Sequence, residues 1–182
     1  IFIVYPDQIR GHKNDLTVLK DFLEEAKVFG GVHILLFFES SGDRGFAVSN
    51  YKKVDKKFGD WRNIRKIAVD NDLMVDLVAN HCSRKHYWFK EFLAGNEEYV
   101  GYFIWFDVAN NFLKKRLERV FRPRDLPLLS KFSFNNRKET KYIWTTFSEE
   151  QVDLNYKNPE VLFEMIEAML LYVKNGARIV RL

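Results

Sequence analysis

The run L-M-V-D-L-V-A-N-H at residues 73–81 constrains this chain more than any other stretch. Residues 73–79 are apolar apart from Asp76, and polar sequence flanks them. A strand covered on both faces needs such a run, and strands of that kind belong to parallel sheets layered with helices. Asn80 and His81 then stand where the strand would emerge, and α/β sheets gather their ligands at the carboxyl ends of strands. A lone histidine at such a place is more simply a partner for local backbone groups. Two other strand-like segments of this chain end in the same way, which gives the position more weight.

Strand and helix signals alternate around that run. Residues 1–4 read as a strand ending at Tyr5-Pro6-Asp7. Asn14 or Asp15 can cap a helix in which Leu16, Leu19, Leu23 and Ala26 recur at helical spacing. Gly30-Gly31 is expected to end it, because glycine tolerates the left-handed conformation found past helix ends. Residues 32–38 form a second strand, followed by a polar, glycine-rich loop over 39–45. Asp60 can cap the next helix, with Trp61, Ile64, Ile67 and Ala68 on one face. The strand at 73–79 completes a βαβαβ rhythm, which argues for a parallel sheet.

From Cys82 to about Glu150 the rhythm breaks into aromatic, irregular sequence, with a helix expected over 87–93 and strands over 99–106 and 141–146. Asn158 and Pro159 then cap and start a helix whose buried stripe would be Val161, Leu162, Met165, Met169, Leu170 and Val173. Gly176 stops it, and residues 177–182 form a fourth strand. The expected division is therefore 1–81 as the first part of an α/β unit, 82–150 as an inserted subdomain, and 151–182 as the continuation of the first part.

Composition narrows the function classes. With 47% hydrophobic and 16% aromatic residues among 182, the chain can bury a sizeable core. The net charge of +4 comes from basic pairs interleaved with acids, without the basic stripe or module of a nucleic-acid domain. No run approaches a membrane span. A single cysteine, Cys82, excludes an intrachain disulfide and favours a reducing, cytoplasmic setting. No oxygen cage for a metal is evident.

Five stretches, in order, carry a resemblance: G-V-H-I-L-L-F-F-E-S-S-G-D-R-G-F (31–46), D-L-V-A-N-H (76–81), R-P-R-D-L-P (122–127), F-S-E-E-Q-V-D-L-N-Y-K-N-P-E (147–160) and G-A-R-I-V-R-L (176–182). Together they resemble the amino-terminal half of glycoside hydrolase family thirteen, the α-amylase clan, in its sucrose phosphorylase-like branch. The resemblance implies an α/β fold, the first half of a (β/α)₈ TIM barrel with four strands and a small subdomain inserted after the third. It implies a retaining glucoside phosphorylase acting on an α-glucoside and inorganic phosphate, with no cofactor and no metal. Sucrose, glucosylglycerate and glucosylglycerol are the candidate substrates.

The residues follow from the motifs. In the family the nucleophile is an Asp directly after R-L, one position beyond Leu182. No catalytic carboxylate is therefore expected among these 182 residues, and the chain alone is expected to be inactive. The alternative is a non-catalytic sugar-binding product. His81 resembles the histidine that bonds a glucosyl hydroxyl, and Asp43 the acid that grips the far hydroxyls, although a Gly-Asp turn alone explains an Asp there. Phe46 and Phe147 resemble apolar walls for the sugar faces, or are plain core. Arg181 resembles the arginine that orients the nucleophile. Arg124 matches a loop arginine turned towards phosphate, or is a solvated charge, and Gln151 would approach the acceptor. Asn80 is expected to tie the insert to the barrel rather than touch substrate. The chain departs from the family at Leu36, Glu39 and Lys56, where proline is usual, and at Asn50, where an acid is usual. Four strands without their barrel partners leave apolar faces open, so isolated chains are expected to associate.

Overall fold

The computed structural model describes residues 1–108, 111–135 and 138–182. In chain order these hold β1 (Phe2–Val4), α1 (Asp15–Ala26), β2 (Gly31–Ile34), β3 (Phe38–Ser40), β4 (Val48–Val54), α2 (Trp61–Asp70), β5 (Asp72–Asp76) and β6 (His81–Ser83). There follow α3 (Tyr87–Ala94), α4 (Glu97–Val100), β7 (Trp105–Phe106), α5 (Asn111–Leu117), β8 (Leu129–Phe134), β9 (Glu139–Trp144), β10 (Gln151–Asp153), α6 (Pro159–Lys174) and β11 (Ala177–Arg181). The chain forms two compact units, one of residues 1–78 with 164–182 and the other of residues 79–163. None of the described helices is long and apolar enough to cross a membrane.

The first unit is built on a parallel sheet in the order β1-β2-β5-β11, the strand order of an opening α/β barrel. Its inner residues (Val4, Val32, Ile34, Leu73 and Val75) are almost wholly buried. Helix α1 starts where Asn14 accepts a hydrogen bond from the Thr17 amide at 3.0 Å, and it buries Leu16, Leu19 and Leu23. Asp60 and Asn63 form a reciprocal capping box on α2, which buries Ile64 and Ile67. An antiparallel ribbon of β3 and β4 interrupts the crossover between β2 and β5. Beside it the rings of Phe38 and Tyr172 stack at 4.7 Å, and the Tyr172 hydroxyl donates to the Tyr51 carbonyl at 3.0 Å.

The sequence expectations differ from the structure in four places along the barrel strands and helices. Helix α1 ends at Lys27, left-handed at φ 45, whose amide bonds the Leu23 carbonyl. Gly31 instead opens β2, where a Cβ would lie 2.8 Å from the Asp72 carbonyl oxygen, so the glycine serves strand approach rather than helix ending. The second strand stops at Ile34, because Leu36 takes φ 28. The strand expected over 73–79 ends at Asp76, and His81 begins another strand, β6. In α6 the buried residues are Val161, Met165, Ala168 and Tyr172, whereas Leu162, Leu170 and Val173 are exposed. That helix carries apolar residues on two faces, and its pattern alone does not say which is covered.

The second unit holds an antiparallel pair, β6 with β10, and an antiparallel sheet in the order β7-β9-β8. Its core is aromatic: Phe89, Phe92 and Phe103 are fully buried, with Phe132 edge-on to Phe89 at 5.0 Å. The strand expected over 99–106 is only partly one, since Tyr99 lies in α4 and Trp105–Phe106 alone pair with β9. Lys141 is buried on β9. Its ammonium donates to Asp107 at 2.5 Å and lies 4.5 Å above the Trp105 ring, which gives the charge its compensation.

Gly176 turns α6 into β11 at φ 101, with the Ala68 methyl 2.5 Å from where its own Cβ would sit. Gly176→Ala is expected to destabilise the protein by about 1–3 kcal/mol, through both backbone strain and overpacking. Equilibrium urea unfolding of the variant measures this.

Candidate active site

In the first unit the sheet register assembles a buried charge network. Arg181 pairs with Asp76 across β11 and β5, so their side chains emerge side by side. His33 on β2 pairs with Met74, and Asp76 lies two residues further along β5 on the same face. The result is one carboxylate, 4% exposed, held between an imidazole and a guanidinium. His33 Nε2 lies 2.9 Å from Asp76 Oδ2, and the Arg181 guanidinium pairs with Oδ1. His33 is itself 1% exposed. Arg181 keeps about half of its side chain accessible, 48%, with Asp76 fixing its near end. The Leu77 amide also donates to the Arg181 carbonyl at 2.8 Å, extending the pairing past the end of β5.

Asp43 and Phe46 belong to the same unit. Asp43 opens a single 3₁₀ turn, Asp43–Gly45, and is exposed with φ 50. Phe46 ends that turn in ordinary helical geometry and is half-buried.

In the second unit the antiparallel pairing of β6 and β10 sets His81 opposite Asp153 and Ser83 opposite Gln151. His81 is 4% exposed, and the Gln151 amide nitrogen lies 3.2 Å from its Nε2. The Asn80 amide nitrogen lies 3.4 Å from its Nδ1, so side-chain amides flank both ring nitrogens. Gln151 Oε1 in turn accepts from the Ser148 hydroxyl at 3.1 Å. The Phe147 ring lies 5.0 Å from the His81 ring, tilted by 56°. His81, Phe147 and Gln151, three residues singled out from the sequence, are thus one cluster.

Beside it lies a second group that the sequence reading did not assemble. Asp153 Oδ2 accepts from Asn80 Nδ2 at 3.1 Å and from the Thr146 hydroxyl at 2.5 Å, and Oδ1 accepts from the Thr146 amide at 2.9 Å. Asn80, Thr146 and Asp153 all lie within the second unit. Burial pushes the Asp153 carboxyl up from its ordinary 3.8, against the pull of the Thr146 and Asn80 bonds. Among the described residues no cluster of three or more histidine, cysteine or acidic side chains could hold a metal. Cys82, between His81 and Ser83 on β6, is fully buried, and burial pushes its thiol well above its ordinary value. Arg124 lies in the exposed 121–127 segment of the same unit. The unseen members of these clusters had one usable signal: His33 interrupts an apolar strand, and a buried imidazole needs a partner.

Four parallel strands in sequential order, with polar side chains at the carboxyl end of the third and fourth, define the barrel class of α/β enzymes. Comparison with known proteins sharpens this. Residues 21–182 match the family model "Alpha amylase, catalytic domain". The whole chain is 48% identical to a glucosylglycerate phosphorylase of Allomeiothermus silvanus and 47% identical to one of Spirochaeta thermophila. It covers 32% and 30% of those two proteins, about a third of their length. The crystal structure of sucrose 6F-phosphate phosphorylase from Thermoanaerobacter thermosaccharolyticum superposes with a TM-score of 0.89 at 40% identity, over 100% of this chain and 38% of that one. The chain belongs to the α-amylase catalytic-domain family, in its sucrose phosphorylase-like branch.

The raised Asp153 carboxyl sets a sign for pH dependence. A group whose folded value exceeds its unfolded 3.8 gives stability that is fully present below 3.8 and is lost as pH rises through the folded value. The wild-type protein is therefore expected to lose stability relative to Asp153→Asn as pH rises from 3.8 into the neutral range. Urea midpoints across that range, compared between the two proteins, check this.

Proposed function

We propose that this chain is part of a retaining glucoside phosphorylase, which transfers the glucosyl group of an α-glucoside to inorganic phosphate and yields glucose 1-phosphate. The observation that carries this reading is the chain-long identity of 47–48% to glucosylglycerate phosphorylases, which also makes glucosylglycerate the first substrate to test. In the mechanism a carboxylate, directly after Leu182 by family resemblance, attacks the anomeric carbon while an acid protonates the leaving oxygen. Phosphate then takes the glucosyl group from the covalent intermediate. The inserted subdomain of this reading spans 82–150.

The geometry supports particular roles. Arg181 orients and charge-balances the nucleophile, because Asp76 and His33 hold its near end still while its outer half stays accessible. His81 bonds a glucosyl hydroxyl, and Gln151, against its Nε2, holds the ring in place as a positioning residue. Phe147 packs beside that imidazole and offers a face to the sugar's C–H groups. Asp43 accepts bonds from sugar hydroxyls, Phe46 walls the ring, and Arg124 meets phosphate.

The test is phosphate-dependent release of glucose 1-phosphate by the full-length protein. Glucosylglycerate is expected to react faster than sucrose, and release of free glucose at a rate independent of phosphate would overturn the reading. His81→Ala is expected to lower kcat/KM about ten- to a hundredfold, the size of one lost hydrogen bond plus its desolvated partner. Steady-state kinetics measures this directly.

A further inference from the structure

The loop after β1 and the turn at residues 40–45 line an open cavity of about 540 Å³ within the first unit. Tyr5, Asp7, Arg10, Arg44, Lys57 and Phe58 line it, together with Ser40 and Ser41. Three cations therefore face one carboxylate. Lys57 is held 3.2 Å from Asp55 beside the cavity, but among the described residues neither Arg10 nor Arg44 has a carboxylate partner. The Arg10 Nε–H reaches the Asp7 carbonyl at 3.4 Å, and the Arg44 guanidinium lies 4.5 Å over the Tyr5 ring.

The backbone that presents Arg44 is unusual. Asp43, Arg44 and Gly45 are all left-handed, at φ 50, 50 and 102, and a Cβ on Gly45 would lie 2.5 Å from the Leu36 Cβ. Leu36 itself has φ 28, a value closed to the proline that family resemblance leads one to expect there. Consecutive left-handed residues with side chains persist only where packing over-determines them. Here the packing of Gly45 on Leu36 aims an arginine into the cavity.

We propose that this cavity binds the anionic group of a polyhydroxy ligand, a carboxylated or phosphorylated sugar or polyol. Arg10 and Arg44 supply the forked donors that carboxylate and phosphate oxygens take up. Asp7 and the two serine hydroxyls accept from or donate to hydroxyl groups, and the Tyr5 and Phe58 rings give C–H faces a surface. A neutral sugar has no use for two guanidinium groups, and the volume exceeds what a bare phosphate would fill. The proposal rests on the phosphorylase reading only for its choice of probes, since glucosylglycerate and glucose 1-phosphate are anions of this class.

Isothermal titration of the full-length protein with glucose 1-phosphate, glycerate and, as the neutral comparison, glucose tests it without turnover. Two variants are compared with wild type, Arg44→Gln and Arg10→Gln, each of which removes one guanidinium and keeps a side chain of similar reach. Each is expected to bind at least one of the two anions about tenfold or more weakly, with glucose unchanged, and the wild-type affinity for that anion is expected to fall with added salt. Anion binding equal to wild type in both variants, no anion binding by wild type, or an equal loss for glucose would overturn it. The two readings fail separately. A protein that binds anions through these arginines without phosphorolysis defeats the proposed function alone, and one that phosphorolyses with anion affinity intact in both variants defeats this inference alone.

Discussion

The parallel sheet depends on one buried carboxylate. Asp76 stands at the end of β5, 4% exposed, and a bare charge there would cost several kcal/mol of desolvation. It is tolerable because β2 brings His33 to one oxygen and β11 brings Arg181 to the other. The three strands must therefore hold a single register, since a slip of one residue would turn Asp76 to the opposite face from His33. Such a network adds little net stability over an apolar core, but breaking it by losing one partner costs about 3–5 kcal/mol. Its effect is to specify alignment, and alignment is what points the outer half of Arg181 in a fixed direction.

The second unit solves a similar problem with neutral partners. Asp153 gathers two donors from Thr146 and one from Asn80, enough to bury it while leaving its carboxyl raised. Two residues earlier on the same strand, Gln151 reaches His81 across the antiparallel pair. One short ribbon thus carries both the Asp153 and the Gln151 contacts.

The turn at 42–46 shows how a local departure from family pattern becomes geometry. Without a proline at position 36 the backbone is free to take φ 28, and Gly45 packs against that bend. The left-handed Asp43-Arg44 pair immediately precedes this close contact.

What the sequence determined by itself was the local pattern: the capping residues Asn14, Asp60 and Asn158, the apolar faces of α1 and α2, the four strands in sequential order, and His81, Phe147 and Gln151 as site candidates. Spacing and side-chain chemistry act over a few residues, and those features need no more. Only the tertiary structure decided where strands end, because an end is set by pairing, as β5 and β11 stop together at Asp76 and Arg181. It decided which apolar face of α6 is covered, since Val161 and Leu162 are equally apolar and differ only in what packs on them. It also decided that His33 meets Asp76 and that Asn80 meets Asp153, pairs 43 and 73 residues apart. Hydrogen bonds across such distances depend on register and approach, which a linear pattern does not contain.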